Sequence, residues 1–133
     1  MIYALDTNII SYILRNAKGV KQRWKEEEEH GNPSVIPLVA YYEVKRGLID
    51  ANATEKLGAL EQVCKTVKVE GLTIQDAHTA SRIYAELKKQ RSLIDDADIL
   101  IAAQALTRGH ILVTNNVKHF ERVDGLQFVN WAE

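Results

Sequence analysis

The chain has a single cysteine, two prolines and one methionine in 133 residues, and only 7% of it is aromatic. With no partner cysteine, Cys64 cannot close an intrachain disulfide, and it lacks the companions of a zinc site. A disulfide-framed secreted domain is thereby excluded, and a reducing cytoplasm is the expected compartment. No apolar run approaches the roughly 20 residues needed to cross a bilayer. The opening Met-Ile-Tyr-Ala-Leu-Asp has no basic leader segment, so no secretory signal and no membrane partner are expected. Neither sign of charge dominates: 17 Lys and Arg stand against 18 Asp and Glu, a formal charge of -1. That balance argues against a polybasic tail or a general wrapper of nucleic acid, but it leaves room for nucleic acid held in one local groove. Repeats, low-complexity tracts and linkers are also missing. Residues 1–133 therefore read as one domain, and 46% hydrophobic residues are enough for a core.

What is present alternates. Ile2 to Leu5 is a short β-capable run, followed by Asp6-Thr7-Asn8, side chains that cap helices, and then by Ile9, Ile10, Ile13 and Leu14 at helical spacing. Val20 to Glu29 reads as a charged helix stopped by Gly31-Asn32-Pro33, with Glu26 to Glu29 a solvated face. Ser34 to Pro37 predicts a strand, Leu38 to Leu48 a helix carrying Glu43, Ala53 to Cys64 another helix, and Val67 to Val69 a strand. Thr73 can cap a helix striped by Ala77, Ala80, Tyr84 and Leu87. A further helix is expected from about Ala97 to Arg108, with Gly109 as its left-handed cap. Ile111 to Thr114 and Gln127 to Asn130 read as the last strands. This alternation predicts an α/β fold with a central parallel sheet flanked by helices.

Ligands of such sheets bind beyond the carboxyl ends of the strands. Asp6 ends the first strand, Glu43 lies just past the second, and Thr114, Asn115 and Asn116 end a late one, so all can share one edge. A third acid, Asp98, sits in the cluster Asp95-Asp96-Ala97-Asp98. If Asp6, Glu43 and Asp98 converge, their repulsion is about 4 kcal/mol per pair at 4 Å and an effective dielectric of 20, and a cation must offset it. Oxygen donors without His or Cys suit Mg²⁺ or Mn²⁺. The chemistry that follows is metal-assisted phosphodiester hydrolysis. Each residue also has a plain structural reading. Asp6 can be only an N-cap, Glu43 a solvated helix acid, and Asp95 and Asp98 a cap and a first-turn acid favoured by the helix dipole. Thr114 to Asn116 can be an ordinary strand-end turn. The four histidines, His119 among them, lack metal-ligand spacing and read as surface or structural, and Trp24 and Trp131 as core or interface anchors.

The chain resembles a PIN domain, and within that family a VapC-type toxin ribonuclease. The pieces that carry the resemblance are Tyr3-Ala4-Leu5-Asp6-Thr7-Asn8, Glu43-Val44-Lys45-Arg46-Gly47-Leu48, Asp98-Ile99-Leu100-Ile101-Ala102-Ala103, and Leu112-Val113-Thr114-Asn115-Asn116 on through Phe120 to Gly125-Leu126. Their order and spacing match over nearly the whole chain. The resemblance implies a parallel-sheet fold, a homodimer, RNA cleavage with Mg²⁺ or Mn²⁺, and a VapB-like antitoxin bound across the site. It assigns Asp6, Glu43 and Asp98 to the acidic metal site, with Asn8, Thr114 and Asn116 supporting it and Asp95 and Asp96 as supplementary acids. Asn116 stands where many relatives have a fourth acid, and Pro37 where the family often has a small hydroxyl residue.

The expectation is thus a single-domain endoribonuclease, the toxin of a type II toxin-antitoxin module. Lys45, Arg46, Lys88, Lys89 and Arg91 are candidate phosphate contacts, each equally readable as a solubilising charge. Rival readings are a PIN nuclease of RNA processing outside toxin systems and a non-catalytic RNA- or protein-binding module. A phosphatase of the haloacid dehalogenase type is weakened because Asn8 stands where that chemistry wants a second aspartate.

Overall fold

The computed structural model describes residues 1–132. Five short strands form one all-parallel sheet: β1 (Tyr3–Leu5), β2 (Ser34–Pro37), β3 (Lys68–Glu70), β4 (Ile111–Val113) and β5 (Phe128–Val129), in the order β3-β2-β1-β4-β5. The central strands are covered on both faces, which is why β1, β4 and all of β2 after the buried Ser34 are apolar, with no polar alternation.

Seven helices connect and cover the strands: α1 (Thr7–Arg15), α2 (Val20–Glu29), α3 (Leu38–Asp50), α4 (Thr54–Thr66), α5 (Ile74–Lys89), α6 (Asp96–Arg108) and α7 (Val117–Phe120). Their ends follow local chemistry. Asp6 caps α1 by accepting the Thr7 N–H. Thr73 and Asp76 form a reciprocal capping box on α5. Gly109 closes α6 at a φ of 66°, a left-handed conformation that glycine adopts without strain. Helix α3 starts directly after Pro37, whose φ of -60° suits the approach but whose side chain offers no capping oxygen. Asp95 likewise occupies the N-cap position of α6 without a side-chain capping bond.

Leu5, Ile9, Ile10, Ile36, Ile101, Leu112 and Phe120 are fully buried at the centre. Trp24 and Trp131 are core residues, as expected, and Trp131 meets Tyr3 edge-on at 5.1 Å. The one-turn helix α7 was not anticipated. It is too short for a periodicity signal, and it is held by its buried anchor Phe120. No helix among the described residues is long and apolar enough to cross a membrane.

Candidate active site

Strand order decides what the site contains. From β1 the chain passes to β2 on one side, whereas β4 lies on the other, so the sheet switches direction between β1 and β4. A crevice opens beyond the carboxyl ends of the strands at such a point. Leu5 is in register with Val113, which makes Asp6 and Thr114 the first residues past the paired segments, side by side. The Asp6 N–H donates to the Val113 carbonyl at 2.9 Å, and the Thr114 hydroxyl donates to Asp6 Oδ2 at 2.7 Å. With the Thr7 N–H on Oδ1 at 2.8 Å, both carboxylate oxygens of Asp6 are fixed.

Asp6 is only 4% exposed. Burial pushes its carboxyl up to about 6; the hydrogen bonds from Thr114 and Thr7 work against that rise, and the negative charges of Asp98 and Glu43 add to it. The three acids separated by 37 and more residues therefore share one electrostatic neighbourhood. Each has its own tether. The Thr7 hydroxyl donates to Glu43 Oε1 at 2.6 Å, joining α1 to α3. Asp98 Oδ2 lies 2.9 Å from His119 Nδ1, which stands 2.7 Å from the Asn116 side-chain amide. The Asn116 N–H in turn donates to the Thr114 hydroxyl oxygen at 2.9 Å, closing a chain of contacts from α7 back to Asp6.

Of the residues expected here, Asp6, Glu43, Asp98, Thr114 and Asn116 come together. Others point elsewhere. Asn8 is exposed and makes no side-chain hydrogen bond among the described residues, and Asp95 is exposed at the start of α6. Asp96 borders a groove between α5 and α6 with Tyr84 and Leu100. Lys45 donates to the Tyr41 hydroxyl at 3.0 Å and lines a groove between α3 and α4 with Glu61 and Cys64. Lys88 lies over the Tyr84 ring, and Arg91 is exposed at a positive φ. Arg46, by contrast, has a guanidinium nitrogen 4.0 Å from Glu43 Oε2.

Two members of the site were missed from the sequence. Thr7 read only as part of a capping run, and its hydroxyl orients Glu43 from 36 residues away. His119 carried no ligand spacing to another histidine. Its one local signal is the i,i+3 relation to Asn116, which matters only once Asp98 is brought to the same place.

The donor set is oxygen from three carboxylates, the chemistry of a hard divalent cation. Among the described residues, no three His, Cys, Asp or Glu side chains stand together at metal-holding distance. Glu43 is drawn to Thr7 and Asp98 to His119 instead. Mg²⁺ keeps several waters and needs only one or two direct carboxylates, so the chemistry of these oxygen donors suits such an ion.

The PIN domain family model matches residues 3–126. A protein named Ribonuclease VapC1 from Haemophilus influenzae (strain R2866) is 31% identical over 134 residues, covering 100% of both chains. A tRNA(fMet)-specific endonuclease VapC from Shigella flexneri is 30% identical over 132 residues, covering 98% of each. In three dimensions, the structure of VapBC-1 from nontypeable Haemophilus influenzae superposes with a TM-score of 0.83 at 31% identity, covering 100% of both chains.

Proposed function

This chain belongs to the PIN domain family, and from that premise we propose that it is a divalent-metal-dependent endoribonuclease, the toxin of a two-component module. The carrying observation is the buried Asp6, fixed through both oxygens and raised to about 6 by burial with Asp98 and Glu43 adding to the rise. A purely structural cap has no reason to gather like charges around itself, because their repulsion disfavours the ionised form. A cation relieves that cost.

In this reading Asp6, Glu43 and Asp98 hold Mg²⁺ or Mn²⁺. Such an ion, when bound, supplies Lewis-acid activation of water and neutralises charge building on the phosphoryl oxygens. The protein's own part is positional. Thr114 and the Thr7 N–H keep Asp6 in one rotamer, the Thr7 hydroxyl aims Glu43, and His119 with Asn116 restrains Asp98. A carboxylate of the set can also take the proton released by the attacking water. Arg46 stands on the α3 side of the acids and Arg15 and Lys18 flank Tyr12 on α1, cations suited to RNA phosphates.

The names of the relatives support the reaction class: ribonuclease in one case, a transfer-RNA-specific endonuclease in another. A VapB-like antitoxin partner and a homodimer belong to the same proposal. Cleavage of RNA by the purified protein in Mg²⁺ or Mn²⁺ tests it. Activity is expected to disappear with a chelator and in Asp6→Asn and Asp98→Asn. Cleavage that survives those substitutions overturns the site, and an inert wild-type protein that still binds RNA favours the non-catalytic module.

A further inference from the structure

The segment Tyr41-Tyr42-Glu43-Val44-Lys45-Arg46 places two tyrosine–cation pairs at i,i+4 on one helix, and tertiary packing separates their fates. Tyr41 and Lys45 turn toward α4 and line the groove with Ile49, Glu61 and Cys64. Tyr42 and Arg46 turn the other way. The Tyr42 side is 56% exposed although the residue is large and aromatic. The Arg46 guanidinium lies over its ring, 5.0 Å from the centroid, and also donates to its hydroxyl at 3.3 Å. The same guanidinium reaches to 4.0 Å from Glu43 Oε2. Arg46 thus links an exposed aromatic ring to one of the acids of the site.

We infer that Tyr42 is a substrate-positioning residue: an unpaired base next to the cleaved phosphodiester stacks on its ring, while Arg46 grips the adjoining phosphate. This rests on the ribonuclease reading above. With Arg46 over the ring and the residue still more than half exposed, Tyr42 keeps aromatic surface free for stacking, and every base has a π-face to offer it. Sequence-selective RNA recognition works through unstacked bases in single strands and loops, which need such platforms. Charge selects RNA over a protein partner here. The exposed stripe Leu38–Tyr42–Arg46 carries two apolar side chains, but its cation is poised between ring and acid, where a nucleotide presents base and phosphate together.

The test starts from total RNA in Mg²⁺. If wild type is inert, the ribonuclease reading fails and this inference with it. If wild type cuts and Asp6→Asn does not, that reading stands and the Tyr42 variants decide the rest. Tyr42→Ala is expected to raise KM roughly 5- to 150-fold with a smaller change in kcat, a range that follows from the energy of one base–aromatic stack. Tyr42→Phe and Tyr42→Trp are expected to retain wild-type KM, because stacking needs the ring and not the hydroxyl.

A second readout avoids catalysis. A fluorescent purine analogue is placed on either side of the mapped cut, and the RNA is bound to Asp6→Asn protein in chelator. Quenching on one side is expected, and it is expected to vanish when Tyr42→Ala is added. Equal KM for wild type and Tyr42→Ala, or unchanged quenching, overturns the inference. So does a Tyr42→Ala protein whose sole defect is lost self-association in sedimentation, which would assign this stripe to a second copy of the chain.

Discussion

Asp6 and Asp76 are both aspartates at the start of a helix, and both are buried, at 4% and 0% exposed. Their carboxyls shift in opposite directions. Burial alone would raise both. At Asp76 the Thr107 hydroxyl, the Thr73 N–H and the Arg108 guanidinium outweigh it and hold the carboxyl below the ordinary range; Arg108 Nη2 stands 2.9 Å away. At Asp6 two hydrogen bonds fail to outweigh burial, and the nearest charges, Asp98 and Glu43, are of the same sign. The pairing of Asp76 explains its burial completely: it ties the α5 N-terminus to the α6 C-terminus. The environment of Asp6 opposes its own ionised form, and such an arrangement persists where stability gives way to function. Both serve a helix N-terminus, Asp6 as the N-cap and Asp76 from inside the first turn, and it is the sign of the surrounding charge that sends their carboxyls in opposite directions.

The sharpest way to break the contrast is to neutralise each acid. Asp6→Asn is expected to lower RNA cleavage by roughly 100-fold or more, as removal of a preorganised charge contact does, read from single-turnover gels in Mg²⁺. Asp76→Ala is expected to leave the acidic site in place but to destabilise the fold by about 3 kcal/mol in urea unfolding, because the close ion pair to Arg108 and the bonds from the Thr73 N–H and the Thr107 hydroxyl are all lost at a buried position.

The pH dependence should also have opposite signs. A carboxyl raised in the folded state from 3.8 to about 6 favours folding when protonated. In the metal-free protein its stability contribution therefore falls as pH rises from about 4 through 6, reaching a cost of up to about 3 kcal/mol at neutral pH. Asp6→Asn is accordingly expected to be more stable than wild type at pH 7 and no more stable near pH 4, which thermal melts across that range would reveal. Asp76 is depressed, so its contribution is present above the ordinary aspartate value and is lost as pH falls below about 4. A smaller effect sharpens the same comparison: Mg²⁺ at about 100 times its Kd is expected to stabilise wild type by about 2.7 kcal/mol and to do so far less in Asp6→Asn, while Asp76→Ala still responds.

Much of this was legible in the residues. Tyr3-Ala4-Leu5 followed by Asp6 reads as a strand that delivers an acid to a helix, and the structure has that geometry. The ends of α2 and α6 follow from Gly31 and Gly109, whose positive φ suits chain reversal. The cluster around Asp98 was readable in part. Asp96 and Asp98 lie two residues apart on a helix, hence on nearly opposite sides, and Asp96 borders the α5–α6 groove while Asp98 faces His119 and Asp6. Which side met Asp6 required the packing of α6 against the sheet. The sorting of Lys45 from Arg46 was equally out of reach, since adjacent cations on an exposed helix differ only in what the neighbouring helix covers. His119 entered the site through a one-turn helix with no periodic signature.

The sequence by itself determined the α/β alternation, the all-parallel sheet, the capping residues and the presence of acids at strand exits, because these follow from local periodicity and backbone preference. Tertiary structure alone decided that β1 lies between β2 and β4, and so that Asp6, Glu43, Asp98, Thr114 and His119 meet. The physical reason is range. Local rules act over a few residues, whereas the charge around Asp6 is set by groups 37 to 92 positions away in the chain, brought together by burial of the sheet.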